Sequence, residues 1–153
     1  MSIVLDSDGV FADFDLHVYQ LFGKWPREMN EAHMWALINK RNDFWYEMPL
    51  KSDAMHLWEK VVHLQPVVLT GCPKSGFEVA AAAKKEWWKR HFDHELVVTC
   101  LSRDKALHIR RPGEILVDDM PKNIRRWEAA GGIGIRHKNA DDTLEQLKRY
   151  EVI

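Results

Sequence analysis

The chain has 153 residues, with 22 Lys+Arg against 23 Asp+Glu and a formal net charge of -1. That describes a single globular unit and excludes a protein that coats nucleic acid through a basic excess. An apolar fraction of 46% with 29% charged residues excludes a disordered or low-complexity chain. No apolar run approaches the roughly 20 residues of a membrane span. The apolar start at Met1 meets Asp6 and Asp8 at once, leaving no secretory h-region, so the expected compartment is the cytosol.

Short, mostly β-branched runs punctuate the sequence in order: Ile3-Val4-Leu5, Val67-Val68-Leu69, Leu96-Val97-Val98, Ile115-Leu116-Val117 and Ile133-Gly134-Ile135. Each is too short for a helix and lacks polar alternation, as expected of strands buried on both faces. After the first run, residues from about 16 to 64 hold two helical segments where a single crossover would normally stand. One starts at Trp25-Pro26 and reaches about Lys40; the other follows Pro49 and runs from about Ser52 to Leu64, with Phe44, Trp45 and Tyr46 in the turn between them. This stretch is expected to be a small helical cap inserted in the one domain. Beyond it, strands alternate with helical stretches at about 75–92, 103–109, 121–130 and 141–150. The alternation predicts an α/β, doubly wound, mainly parallel five-stranded Rossmann-like sheet, with ligands bound outside the carboxyl ends of its strands.

Those strand ends carry the chemistry. The first is followed by Asp6-Ser7-Asp8-Gly9, with Asp13 shortly beyond. Two acids one residue apart project differently, so one can attack an electrophile while the other handles a proton; in isolation the same residues also serve as turn formers. The second strand ends in Thr70-Gly71, a hydroxyl and an unobstructed backbone amide suited to a phosphate oxygen. The following Gly71-Cys-Pro-Lys-Ser-Gly76 is not a P-loop, because Phe77-Glu78 stand where Lys and Ser/Thr are needed. The fourth strand ends in Asp118-Asp119, and acids gathered at one edge favour a hard cation such as Mg²⁺. Lys105, early in the helix after the third strand, is placed to reach both an acid and a phosphate.

Asp-x-Asp-Gly, Thr, Lys and Asp-Asp, each after its own strand, resemble the four motifs of the haloacid dehalogenase-like phosphatase superfamily over nearly the whole chain. Asp-Ser-Asp-Gly-Val-Phe-Ala-Asp, Phe44-Trp45 before Met48-Pro49-Leu50, and Arg103-Asp104-Lys105 look like its 5'(3')-deoxyribonucleotidase branch. The resemblance implies that Asp6 is the nucleophile that forms an aspartyl-phosphate and that Asp8 is the acid/base. It implies that Thr70, Gly71 and Lys105 hold the phosphoryl group. Mg²⁺ would be bound by Asp6, by the backbone carbonyl of Asp8 and by Asp118, with Asp119 supporting from behind. Asp13 fits the pattern in a structural role. The branch usually carries Ser after the motif Thr, where this chain has Gly71, so one hydroxyl contact is missing.

Seven tryptophans raise the alternatives of an aromatic core or a stacking surface. Phe11, Phe44 and Trp45, with Tyr46, are candidates for a slot that stacks a nucleobase, the alternative being that they pin the cap to the core. Trp87, Trp88 and Trp127 read as packing residues. The basic-aromatic run at 84–91 reads as a solvated helix face rather than a nucleic-acid contact. Cys72 and Cys100 read as buried thiols, and the eight histidines show no zinc spacing. Asn123 is a secondary candidate beside the Asp118-Asp119 turn. The expected partner is a small phosphorylated substrate, a nucleoside monophosphate foremost. Phosphorylated polynucleotide 3' ends, another small phosphorylated metabolite and a noncatalytic phosphate sensor are the alternatives.

Overall fold

The computed structural model describes residues 2–153; Met1 lies outside the described residues. Five parallel strands form one sheet in the order β3-β2-β1-β4-β5: β1 Ile3–Leu5, β2 Val67–Cys72, β3 Val97–Leu101, β4 Ile115–Asp118 and β5 Ile133–Arg136. The expected doubly wound sheet is what forms. β1 and β4, inside the sheet, are buried along their whole length, whereas the edge strands β3 and β5 have exposed residues. Apolar runs without alternation belong to strands covered on both faces.

The helices are α1 Phe14–Phe22, α2 Glu31–Asn39, α3 Ala54–Val61, α4 Phe77–Phe92, α5 Pro121–Ala129 and α6 Ala140–Arg149, and residues Ser102–His108 form a 3-10 segment after β3. The larger core joins Ile3, Leu5, Val68, Ile115, Val117 and Ile135 of one sheet face to residues of α3, α4 and α6. Val4, Leu69, Cys100 and Leu116 of the other face pack on Trp127 of α5. Among the described residues, no helix is long and apolar enough to cross a membrane.

Three α-helices, not two, lie between β1 and β2. The additional one, α1, starts at Asp13, whose carboxylate accepts a hydrogen bond from the Leu16 amide at 3.2 Å, and stops at Gly23 in the left-handed conformation. Asp13 thus has a structural task. The expected 25–40 helix is divided: Pro26–Glu28 is a 3-10 turn, and α2 begins only after Asn30, whose side chain caps it. The segment is tied back to the loop after β1 by Asp13 N donating to the Pro49 carbonyl and Lys51 N to the Phe11 carbonyl, both at 2.8 Å.

Candidate active site

The loop after β1 turns tightly because the Ser7 carbonyl accepts from the amides of Val10, Phe11 and Ala12. Ser7 Oγ accepts a hydrogen bond from Trp88 Nε1 at 2.9 Å, fixing the loop to α4. Gly9 has φ +85°, and a β-carbon there would run into the Asp119 carboxylate. The β1 and β4 loops can therefore meet only at a glycine.

Where they meet, carboxylate oxygens of Asp6, Asp118 and Asp119 all lie within 4.8 Å of one another. Lys105 Nζ reaches over from the 3-10 segment, 2.6 Å from Asp6 Oδ1 and 2.8 Å from Asp118 Oδ2. Asn123 Nδ2 donates to the same Asp118 oxygen at 3.1 Å, and the Met120 amide to the other at 2.9 Å. Two buried acids and a half-buried third share one cation, so negative charge is in excess. Burial first, then Asp118, pushes the Asp6 carboxyl well above its ordinary range against the pull of Lys105. The same two causes raise Asp119 to about 6. Burial alone would lower the Lys105 ammonium, but Asp6 and Asp118 outweigh it and the net direction is upward.

The acids fit a hard divalent ion. Asp119 Oδ1 is buried without a hydrogen-bond partner, and three acids with one cation lack positive charge that such an ion supplies. Asp119, expected behind the metal ligands, stands in the cluster itself, and its side chain completes the group that the sequence analysis assigned to Asp6, Asp8 and Asp118. The Asp8 side chain points elsewhere: its Oδ2 lies 2.8 Å from Lys84 Nζ.

A cavity of about 530 Å³ opens over these groups. It is lined by Asp6, Asp8, Gly71, Ser102, Lys105 and Asp119 at its floor and by Phe14, Trp35 and Trp45 at its wall. Gly71 is present because a β-carbon there would lie 2.9 Å from the Ser102 β-carbon. Ser102 itself lines the cavity, so a hydroxyl stands next to the position where the resemblance leads one to expect a serine. Thr70 is fully buried, and its hydroxyl accepts a hydrogen bond from Lys84 Nζ at 3.1 Å. It is thereby one layer beneath the cavity surface formed by Gly71.

The aromatic expectations need correction. Phe11 has no exposed surface and packs edge-on against Trp58, Trp88 and Phe92, because the tight turn directs it into the core. Phe44 is 1% exposed and sits between Phe14, His17 and Trp45. Neither forms part of the cavity wall; both are the cap-pinning residues of the alternative reading. Trp45 does line the cavity, and the other wall residues are Phe14 and Trp35, with Phe14–Trp45 and Trp35–Trp45 ring centroids 6.0 and 6.1 Å apart. Phe14 belongs to α1, which the sequence reading does not anticipate, and Trp35 is half-buried on α2 with no local signal for what it faces.

Lys84 was also missed. The 84–91 run is not a solvated face throughout: Ala80, Ala81, Lys84, Trp87 and Trp88 are the buried stripe of α4. The signal was present, since Lys84 falls at helical spacing from those alanines and tryptophans. Trp87 and Trp127 are likewise packed, their indole N–H groups donating to the Met48 and Glu114 carbonyls. Cys72 and Cys100 are free, and burial raises both thiols.

No protein-family model and no curated sequence matches the chain. Solved structures do. A haloacid dehalogenase-like hydrolase from Streptococcus pneumoniae superposes with a TM-score of 0.58 at 12% identity, covering 94% of this chain and 89% of the other. A hydrolase from Pseudomonas syringae gives 0.51 at 14% identity with 97% and 98% covered, and another from Streptococcus pneumoniae TIGR4 gives 0.52 at 12% with 96% and 97% covered. The class defined is an α/β protein with the fold of the haloacid dehalogenase-like hydrolases, matched over nearly its entire length.

Proposed function

We propose that the chain is a magnesium-dependent phosphomonoesterase of the haloacid dehalogenase-like type, acting on nucleoside monophosphates and on deoxyribonucleotides foremost. The observation that carries this reading is the convergence of Asp6, Asp8, Lys105 and Asp119, from two strand ends and the segment after β3, on the lining of one cavity, with Asp118 buried against Lys105.

In the first step an Asp6 oxygen attacks phosphorus, the bond from phosphorus to the ester oxygen breaks, and that oxygen takes a proton from Asp8. In the second, Asp8 takes a proton from water, the water oxygen attacks phosphorus, and the bond from Asp6 to phosphorus breaks, releasing phosphate. Lys105 and the Gly71 amide hold the phosphoryl oxygens, with the Ser102 hydroxyl beside them. Mg²⁺, held by Asp6, Asp118, Asp119 and the Asp8 carbonyl, would neutralise charge on the transferring group. Catalysis of this kind is mainly alignment and charge neutralisation, which buried fixed groups supply without reorganising.

The size and aromatic wall of the cavity support a nucleotide. A base stacked on Trp35, Trp45 or Phe14 gains about 1–3 kcal/mol per stack. A second reading, a phosphatase of polynucleotide 3' ends, draws on a shallow cleft that adjoins the cavity through Cys72 and Ser102 and carries Lys74 and Arg103. The experiment is phosphate release from ribo- and deoxyribonucleoside 5'- and 3'-monophosphates and 3'-phosphorylated oligonucleotides, with Mg²⁺ or EDTA, for wild type and Asp6→Asn. Metal-dependent release from mononucleotides that is lost in the variant is the expected result. Release from oligonucleotides alone favours the second reading, and no release from any ester removes both.

A further inference from the structure

Lys84 is 1% exposed, and its ammonium is completely committed. It donates to Asp8 Oδ2 at 2.8 Å, to Thr70 Oγ1 at 3.1 Å and to the Gly71 carbonyl at 2.7 Å. Three N–H groups meet three acceptors, leaving none for a ligand. The same Nζ lies 4.6 Å from the centroid of the Trp45 ring, the cap residue on the cavity wall. The other Asp8 oxygen, Oδ1, is buried and has no partner.

A lysine this deeply buried is costly to desolvate, and well-packed apolar residues often replace buried ion pairs without loss of stability. Filling space on α4 therefore does not require it. What it does supply is a fixed orientation. A carboxylate turns freely about its side-chain torsions unless an oxygen is held, and holding Oδ2 determines where Oδ1 stands.

Building on the phosphomonoesterase reading above, we propose that Lys84 is a positioning residue that divides the two Asp8 oxygens by task. Oδ2 is anchored, which leaves Oδ1, the oxygen without a partner, as the one free to exchange a proton with the ester oxygen and then with water. Trp45, over the same ammonium, extends this anchor to the cap, so that the wall that contacts the distal part of the substrate and the acid/base share one support. Because the ammonium is saturated, this role differs from direct phosphate binding. A displacement of about 1 Å in such a group costs on the order of 100-fold in rate.

The test compares wild type, Lys84→Met, Lys84→Arg and Asp8→Asn on an alkyl ester, glycerol phosphate, and an activated aryl ester, p-nitrophenyl phosphate. The alkyl leaving oxygen needs a proton, whereas p-nitrophenolate departs without one. Lys84→Met is expected to lower kcat on glycerol phosphate by about 100-fold with KM within about twofold. In kcat/KM, which stops at departure of the alcohol and so excludes the water step both esters share, the loss on p-nitrophenyl phosphate should be at least about tenfold smaller than on glycerol phosphate, the same pattern as Asp8→Asn. Lys84→Arg, which keeps the charge but not the three-way geometry, should not restore kcat. Equal losses of kcat/KM on both esters, a change confined to KM, or full rescue by arginine overturns the proposal.

Crystal structures of Lys84→Met, or of Lys84→Gln if the methionine variant does not fold, give an independent reading. Asp8 is expected to leave its present orientation. An unmoved Asp8 carboxylate overturns the positioning role whatever the activity. If wild type hydrolyses neither ester, the phosphatase reading falls, and the orientation of Asp8 still decides the role of Lys84.

Discussion

Gly9 and Asp119 touch: the hydrogen face of the glycine rests against the Asp119 carboxylate, and no β-carbon fits between them. This contact joins the loop after β1 to the acidic loop of β4, and Gly9 also has φ +85°. Gly9→Ala is therefore expected to combine about 1–2 kcal/mol of left-handed strain with displacement of Asp119. The matching control is Gly23→Ala, at φ +77° with nothing within 4 Å of the added carbon. Both variants should melt below wild type, but only Gly9→Ala should lose at least about tenfold in phosphate release, since alignment within the site governs the rate. Thermal melts and a phosphatase assay on the two proteins check this.

Asp119 sets a pH dependence. Its carboxyl is raised from 3.8 to about 6, burial being the first cause and Asp118 the second. Between those values the folded protein keeps a proton that the unfolded chain has released. The associated stability is fully present below pH 3.8 and is lost as pH rises through about 6. Asp119→Asn removes this dependence. In EDTA its stability relative to wild type should rise across that window and then level off, by on the order of 3 kcal/mol in total. The comparison between variants cancels the opposite contribution of His17 and His137, both lowered by burial. Mg²⁺ should raise the wild-type midpoint at pH 7 by more than that of the variant. Denaturant unfolding as a function of pH, with and without the ion, is the measurement.

Lys105 is the only cation within hydrogen-bond distance of Asp6 and Asp118 among the described residues. Lys105→Met leaves both acids uncompensated, and breaking a buried pair from one side costs about 3–5 kcal/mol. Mg²⁺ should recover part of that stability without recovering activity, because the ion balances the acids but does not replace the ammonium on the phosphoryl oxygens. Recovery of both together would show that Lys105 serves the fold alone.

The two groups of aromatic residues separate by experiment. Phe11→Ala opens a cavity among Trp58, Trp88 and Phe92 and should cost about 3–5 kcal/mol of stability. Trp35→Ala, on the partly exposed wall, should cost less stability than Phe11→Ala and raise KM for a nucleotide by about fivefold or more, the equivalent of one lost stack. Turnover of p-nitrophenyl phosphate should change less. Calorimetry and steady-state kinetics on the pair make the check.

The acids at positions 6, 8, 118 and 119 were legible because each closes a short apolar run, and in a parallel sheet all strand ends share one edge. The direction of Phe11 was not legible, since a tight turn sends adjacent side chains to opposite sides and chain position does not say which. α1 was overlooked although Asp13 and Gly23 bound it, because the loop motif overlapping its start drew attention to chemistry rather than to capping.

Periodicity, a local property, was enough to determine the α/β sheet and to set acids at its strand ends; their roles as candidate nucleophile, acid and metal ligands came from the resemblance. Tertiary structure alone decided which aromatics face the cavity, why position 71 is glycine and which groups Lys84 meets. Phe14, Trp35 and Trp45 reach one wall from different segments, Gly71 is constrained by Ser102 on the neighbouring strand's exit, and Lys84 meets Asp8 across 76 residues. Such relations depend on the distance between side chains of separate elements, which packing of the whole chain sets.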